Sequence, residues 1–231
     1  MATKKKTTAK RSKKNNKKTY VAIVLDRSGS MSSIHKQTVE GINEQLRALK
    51  DNADKGGDTL VSLVQFDTQI ETVFDNVNAK ELKYLTEGDF QPRGGTAMYD
   101  GIWNAINLLK SKEQTDDTSY LICVISDGQE NASQEISQQI LSDEIKKLQS
   151  GNWVFTYLLS NVDIHAVQQA LDIKNSSIAI YNSSVTGAAY SYTSNATSTV
   201  NYMSARNDGV VSPTTYDFYS PEQQAKIKSV K

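Results

Sequence analysis

The sequence predicts an α/β fold: a doubly wound, mostly parallel six-stranded sheet with one antiparallel edge strand and helices on both faces. Short unbroken apolar runs rich in β-branched residues alternate with longer segments whose apolar residues recur every three or four positions. The first pattern marks strands buried on both faces, as in parallel sheets, and the second marks amphipathic helices. Gly, Ser, Asp and Pro gather at the junctions, where turns and caps need them.

Taken in order, residues 20–25 (YVAIVL) form the first strand, ending abruptly at Asp26 and a Ser/Gly loop. Ser32 or Ser33 is placed to cap a helix whose apolar positions are Val39, Ile42, Leu46 and Leu49, stopped by Gly56-Gly57. Residues 60–66 are the second strand. Asp67-Thr68 suits a tight turn into a third over 70–74, which therefore runs antiparallel, and Asp67 reads as a turn residue. After a polar connection ending in Pro92-Arg93-Gly94-Gly95-Thr96, a helix carries Met98, Ile102, Ile106 and Leu109. The fourth strand is 120–125, followed by Ser126-Asp127-Gly128. The next helix shows Ile136, Ile140, Leu141, Ile145 and Leu148, with Gly151 ending it. A fifth strand (153–159), a short helix marked by Val167 and Leu171, and a small strand at 178–180 follow. Val185, Ala188, Tyr192, Ala196, Val200 and Met203 keep helical spacing, although the Ser, Thr and Asn between them are poor helix formers. Residues 207–219 read as irregular, and Ser220-Pro221-Glu222-Gln223 as the start of one closing helical turn.

Composition narrows the function. The net charge of zero hides nine Lys or Arg and no acid in residues 1–18, so the remainder carries 17 bases against 26 acids. A block of like charge this dense predicts a disordered tail, and the acidic body argues against nucleic acid as its own partner. The organisation expected is a basic tail (1–18), one domain (19–206) and a C-terminal extension (207–231). A single cysteine, Cys123, excludes an internal disulfide framework and reads as a core thiol. Two histidines make a multi-histidine zinc site a poor fit, and neither His35 nor His165 is assigned a role. No run approaches the ~18 apolar residues of a membrane span, and the lysine-rich start lacks the apolar segment of a secretory signal. The expected location is the cytoplasm, with a bacterial or bacteriophage-encoded origin.

Three junctions carry oxygen-bearing side chains: Asp26-Arg27-Ser28-Gly29-Ser30 after the first strand, Gly94-Gly95-Thr96 opening a helix, and Asp127 after the fourth strand. In doubly wound sheets, ligands bind beyond the carboxyl ends of strands where strand order reverses. If the first and fourth strands are neighbours there, Asp26 and Asp127 share one crevice. Two carboxylates and three hydroxyls, without thiol or imidazole, suit a hard cation: Mg²⁺, with Mn²⁺ or Ca²⁺ as alternatives. Each piece alone is an ordinary turn or cap; it is their joint occurrence in order that points to a site.

These residues resemble the von Willebrand factor type A family, whose metal-ion-dependent adhesion site combines an Asp-x-Ser-x-Ser stretch, a Thr and an Asp. The likeness covers about residues 19–206 and implies a Rossmann-like fold with Ser28, Ser30 and Thr96 as direct ligands and Asp26 and Asp127 acting largely through water. It further implies a non-enzymatic module binding a protein that presents Asp or Glu, and a last helix, here 185–206, able to shift. Arg27, Met31, Arg93, Tyr99, Glu130 and Asn131, within or beside the loops, are the candidate partner contacts, Arg27 and Arg93 either steering an acidic partner or standing as solvated loop residues. The rival readings are a metal-dependent phosphoryl-transfer or phosphoesterase enzyme, which lacks a P-loop lysine and a ready base, and electrostatic tethering of the tail to nucleic acid or an anionic membrane.

Overall fold

The computed structural model describes residues 17–54, 57–162, 164–208 and 216–231. Most of the basic tail, Gly56 and most of the irregular stretch after 207 therefore lie outside the described residues. Six strands form one sheet: β1 (Lys18–Asp26), β2 (Asp58–Phe66), β3 (Ile70–Asn78), β4 (Thr118–Ser126), β5 (Trp153–Leu159) and β6 (Ile178–Ile180). Their order is β3-β2-β1-β4-β5-β6. Only the β2–β3 pair is antiparallel. Winding runs outward from β1 through β2 to β3 and from β4 through β5 to β6. The reversal falls between β1 and β4, as the crevice argument requires.

Strand periodicity assigns alternate side chains of β1 to two cores. Val21, Ile23 and Leu25 join the cluster under α1 (His35–Ala53) and α5 (Val185–Asn207). Tyr20, Ala22 and Val24 join the one under α2 (Met98–Lys110), α3 (Gln138–Gln149) and α4 (Ile164–Leu171). Cys123 lies in the first core, and burial pushes its thiol up to about 11, as an inert packing group requires.

Four local expectations need correction. Neither Ser32 nor Ser33 caps α1: a 3-10 turn over Gly29–Ile34 precedes it, and their hydroxyls donate back to the Gly29 and Ser30 carbonyls. Ile136 stands outside α3, whose cap is Ser137, yet still packs on the core. The third strand extends to Asn78. The closing turn is a nine-residue helix, α6 (Pro221–Ser229), with a Ser220/Gln223 capping box. The C-terminal residues pack onto the domain: Phe218, Tyr219 and Ile227 are buried in the α5 side of the core.

α5 forms despite its composition because its hydroxyls turn inward along the helix. Ser191, Ser194 and Thr199 donate to the carbonyls four residues back, so buried side-chain donors need no water. Its tightest crossing is with α1, where a methyl group on Gly41 would lie 2.4 Å from Tyr192 Cβ. Gly41→Ala is expected to cost about 2–3 kcal/mol by forcing the two helices apart, read as a lowered denaturation midpoint. An unchanged midpoint would show that the helices separate freely.

Candidate metal centre

The crevice forms where β1 and β4 end side by side. Leu25 pairs with Ile125, which brings Asp26 next to Ser126. Ser126 Oγ donates to Asp26 Oδ2 at 2.5 Å, and the Ser28 amide donates to Asp26 Oδ1 at 2.6 Å. The chain stays extended through Ser28 (φ −66, ψ 164) before the 3-10 turn. Ser28 Oγ and Ser30 Oγ lie 3.1 Å apart, and Ser30 Oγ donates to Asp127 Oδ1 at 2.6 Å. Four of the five expected side chains therefore share one hydrogen-bonded cluster.

Thr96 supplies the fifth. Its backbone is clamped by the segment after β4: its amide donates to Asn131 Oδ1 at 2.9 Å, and its carbonyl accepts from the Asn131 and Ala132 amides. A methyl group on Gly128 would sit 3.3 Å from Thr96 Oγ1 and 3.7 Å from Ser30 Oγ. The absent side chain keeps the space between these two hydroxyls open. That cradle and the all-oxygen donor set fit a hard divalent cation.

Charge fits as well. Asp26 is wholly buried and its carboxyl is raised to about 6, because burial outweighs the hydrogen bonds from Ser126 and Ser28. Burial raises Asp127 too, against the Ser30 hydrogen bond. Both take their hydrogen bonds from hydroxyls and backbone rather than from a base. Among the described residues no group of three or more His, Cys, Asp or Glu could hold a metal; the candidate set rests on two carboxylates and three hydroxyls instead.

The six candidate partner contacts divide. Arg27 and Met31 are interior, contrary to expectation. Arg27 lies between two crevice-facing residues, so strand alternation sends it to the opposite side, where it meets Asp67, Gln65 and Glu71. Met31 fills the first core from the 3-10 turn. The Glu130 carboxylate is occupied by the amides of Tyr99, Ala132 and Ser133 and the Ser133 hydroxyl. Asn131 is spent on Thr96. Arg93 keeps an exposed side chain, and Tyr99 helps line a cavity of about 520 Å³ beside the loops with Met98, Gln129 and Val167.

Sequence reasoning missed Ser126, Asp100 and the wider part played by Asp67. Asp100 accepts from the amides of Gln134, Glu135 and Ile136, fixing the loop that clamps Thr96. Asp67 does form the expected turn, accepting from the Gln69 amide. It also follows a buried strand, as Asp127 follows β4 and Asp26 ends β1, which was a readable signal. Since Asp26 pairs with Phe66, Asp67 falls one position later and faces away from the crevice.

Residues 21–129, which include all five candidate ligands, match the family model of the von Willebrand factor type A domain. No curated protein matches the chain. Among solved structures the chain is similar to a von Willebrand factor type A protein from Catenulispora acidiphila (16% identity, TM-score 0.54, covering 80% of this chain and 43% of that one). It is also similar to the PilB minor pilin from Streptococcus sanguinis (11%, 0.58, 84% and 62%) and to manganese-loaded TRAP from Plasmodium vivax (12%, 0.50, 72% and 69%). The chain thus spans less than two thirds of the first two proteins. At these identities the likeness is one of fold, a von Willebrand factor type A fold, and the family match covers residues 21–129.

Proposed function

We propose that this domain binds a divalent cation, Mg²⁺ first and Mn²⁺ or Ca²⁺ as alternatives, and through it a protein partner presenting Asp or Glu. Domains of this type are generally non-enzymatic interaction modules and often metal-dependent. The observation that carries the reading is the convergence of Ser28, Ser30, Thr96, Asp26 and Asp127 on the cradle left open by Gly128. The three hydroxyls would hold the ion, with the two carboxylates acting through water. The two carboxylates balance the ion's charge only through water, so its direct ligands would be neutral hydroxyls and it would keep a Lewis-acidic position for an incoming carboxylate.

The chain's own residues supply order. Ser126 and the Ser28 amide fix the Asp26 carboxylate, Ser30 fixes Asp127, and Asn131 holds the Thr96 backbone. Against the enzyme reading, Cys123 is buried in the core and His35 Nε2 is bonded to the Phe90 carbonyl at 2.7 Å. No described helix is long and apolar enough to cross a membrane.

Calorimetry with Mg²⁺ and Mn²⁺ tests the reading. The intact chain is expected to show saturable binding that Ser28→Ala/Ser30→Ala and Asp127→Ala each weaken at least about tenfold while keeping the fold. A partner recovered on the immobilised chain should be lost in chelator. Equal recovery with and without chelator would overturn the metal-dependent role.

A further inference from the structure

We propose that Asp67, which faces away from the metal cradle, sets its ion affinity and selectivity by fixing the separation of two of its loops. The inference rests on the metal reading above and concerns how that site is tuned. Asp67 Oδ2 accepts from Arg27 Nε at 3.0 Å and from Arg93 Nε at 2.9 Å, and Arg27 Nη2 lies 3.0 Å from the same oxygen. Arg27 stands between Asp26 and Ser28, and Arg93 stands three residues before Thr96. The Asp67 carbonyl accepts from the amide of Ala97, the residue after Thr96, at 2.8 Å. One residue thus grips the first loop from within and the second on both sides of its candidate ligand.

Backbone contacts complete the clasp. The Arg93 amide donates to the Arg27 carbonyl at 2.8 Å, and the Gly29 amide to the Gly94 carbonyl at 3.2 Å. Asp67 Oδ1 is held by the Gln69 amide and the Thr68 hydroxyl, so the carboxylate cannot follow one arginine without releasing the other. Burial alone would raise this carboxyl. The hydrogen bonds from Arg93 and Gln69 and the charges of both arginines outweigh it, holding the carboxyl below its ordinary value and therefore ionised.

Loop spacing matters unequally to different ions. Mg²⁺ demands near-ideal octahedral geometry at about 2.0–2.1 Å, whereas Ca²⁺ accepts variable geometry at about 2.3–2.6 Å. Loosening the clasp therefore penalises Mg²⁺ more than Ca²⁺. A role confined to stability would lower the melting temperature and leave the ratio of the two affinities unmoved.

The test uses the full chain with Mg²⁺ and Ca²⁺ alone as probes. Arg93→Gln removes one arm of the clasp from a side chain that is 57% exposed, so the fold survives. Asp67→Asn removes the centre. Asp75→Asn, which breaks the Lys112–Asp75 ion pair on β3, is the control for losing an ion pair elsewhere. Arg93→Gln is expected to weaken Mg²⁺ about tenfold and Ca²⁺ no more than about threefold, with Asp67→Asn larger in the same sense and Asp75→Asn neutral. Equal Mg²⁺ affinity in Arg93→Gln and wild type, or a parallel loss of both ions, overturns the inference. Failure of the wild-type chain to bind either ion overturns instead the metal reading on which it rests.

Discussion

Replacing Asp26 by Asn is expected to make the metal-free domain more stable at pH 7, by about 3 kcal/mol, while abolishing cation binding. The carboxyl is raised from 3.8 to about 6 by burial, and each unit corresponds to about 1.4 kcal/mol. The sign follows from proton counting. Between these two values the folded state binds more protons than the unfolded one, so this group makes stability fall as pH rises through that window. Its cost is complete above the folded value and is relieved as pH drops toward 4. Asn removes the charge and keeps hydrogen-bonding capacity, since Ser126 Oγ can direct its proton to the Gly128 carbonyl, 3.2 Å away. Urea unfolding at pH 7 and pH 4.5, with and without Mg²⁺, reads the effect. A variant less stable than wild type at pH 7 in chelator would show that the carboxylate is not held there at a cost.

Arg27→Met should be among the most damaging single changes in the chain, at about 3–5 kcal/mol, because it leaves Asp67 buried with one of its two cationic partners. For a domain of this size, a loss of that order lowers the melting temperature by roughly 10 °C. The double variant Arg27→Met/Asp67→Leu should recover much of the loss, since an apolar pair often replaces a buried ion pair without penalty. A single-variant loss below about 1 kcal/mol would mean that Arg27 is solvated in solution. The effect expected of Arg27 thus lies in folding, not in the attraction of an acidic partner.

The contrast between Arg27 and its neighbours shows what could be read from sequence. The apolar runs of β1, β2, β4 and β5 and the junction residues Asp26, Ser28, Ser30, Thr96 and Asp127 were legible because each rests on a local pattern. Thr96 is set beside the other four candidates only through Asn131 and Gly128, residues from another loop. Burial of Arg27 and Met31 was illegible because it depends on what the opposite face offers: an arginine is hidden only when carboxylates wait for it. The strength of α5 escaped for a related reason, since its Ser and Thr residues weaken a helix in water and satisfy one inside a protein. The helix after Pro221 was readable in its start signal but not in its length, which depends on Ile227 finding the core.

β1 runs from Lys18 at one pole to Asp26 at the candidate crevice, a span of about 26 Å, and is flanked by parallel partners along almost its whole length. A pull applied between a ligand at the crevice and the chain entering at Lys18 is directed along this strand. Both ladders are then loaded in shear, with their hydrogen bonds sharing the force at once instead of opening one by one. A load so applied would pass through the centre of the sheet and leave the edge strands β3 and β6 off its line.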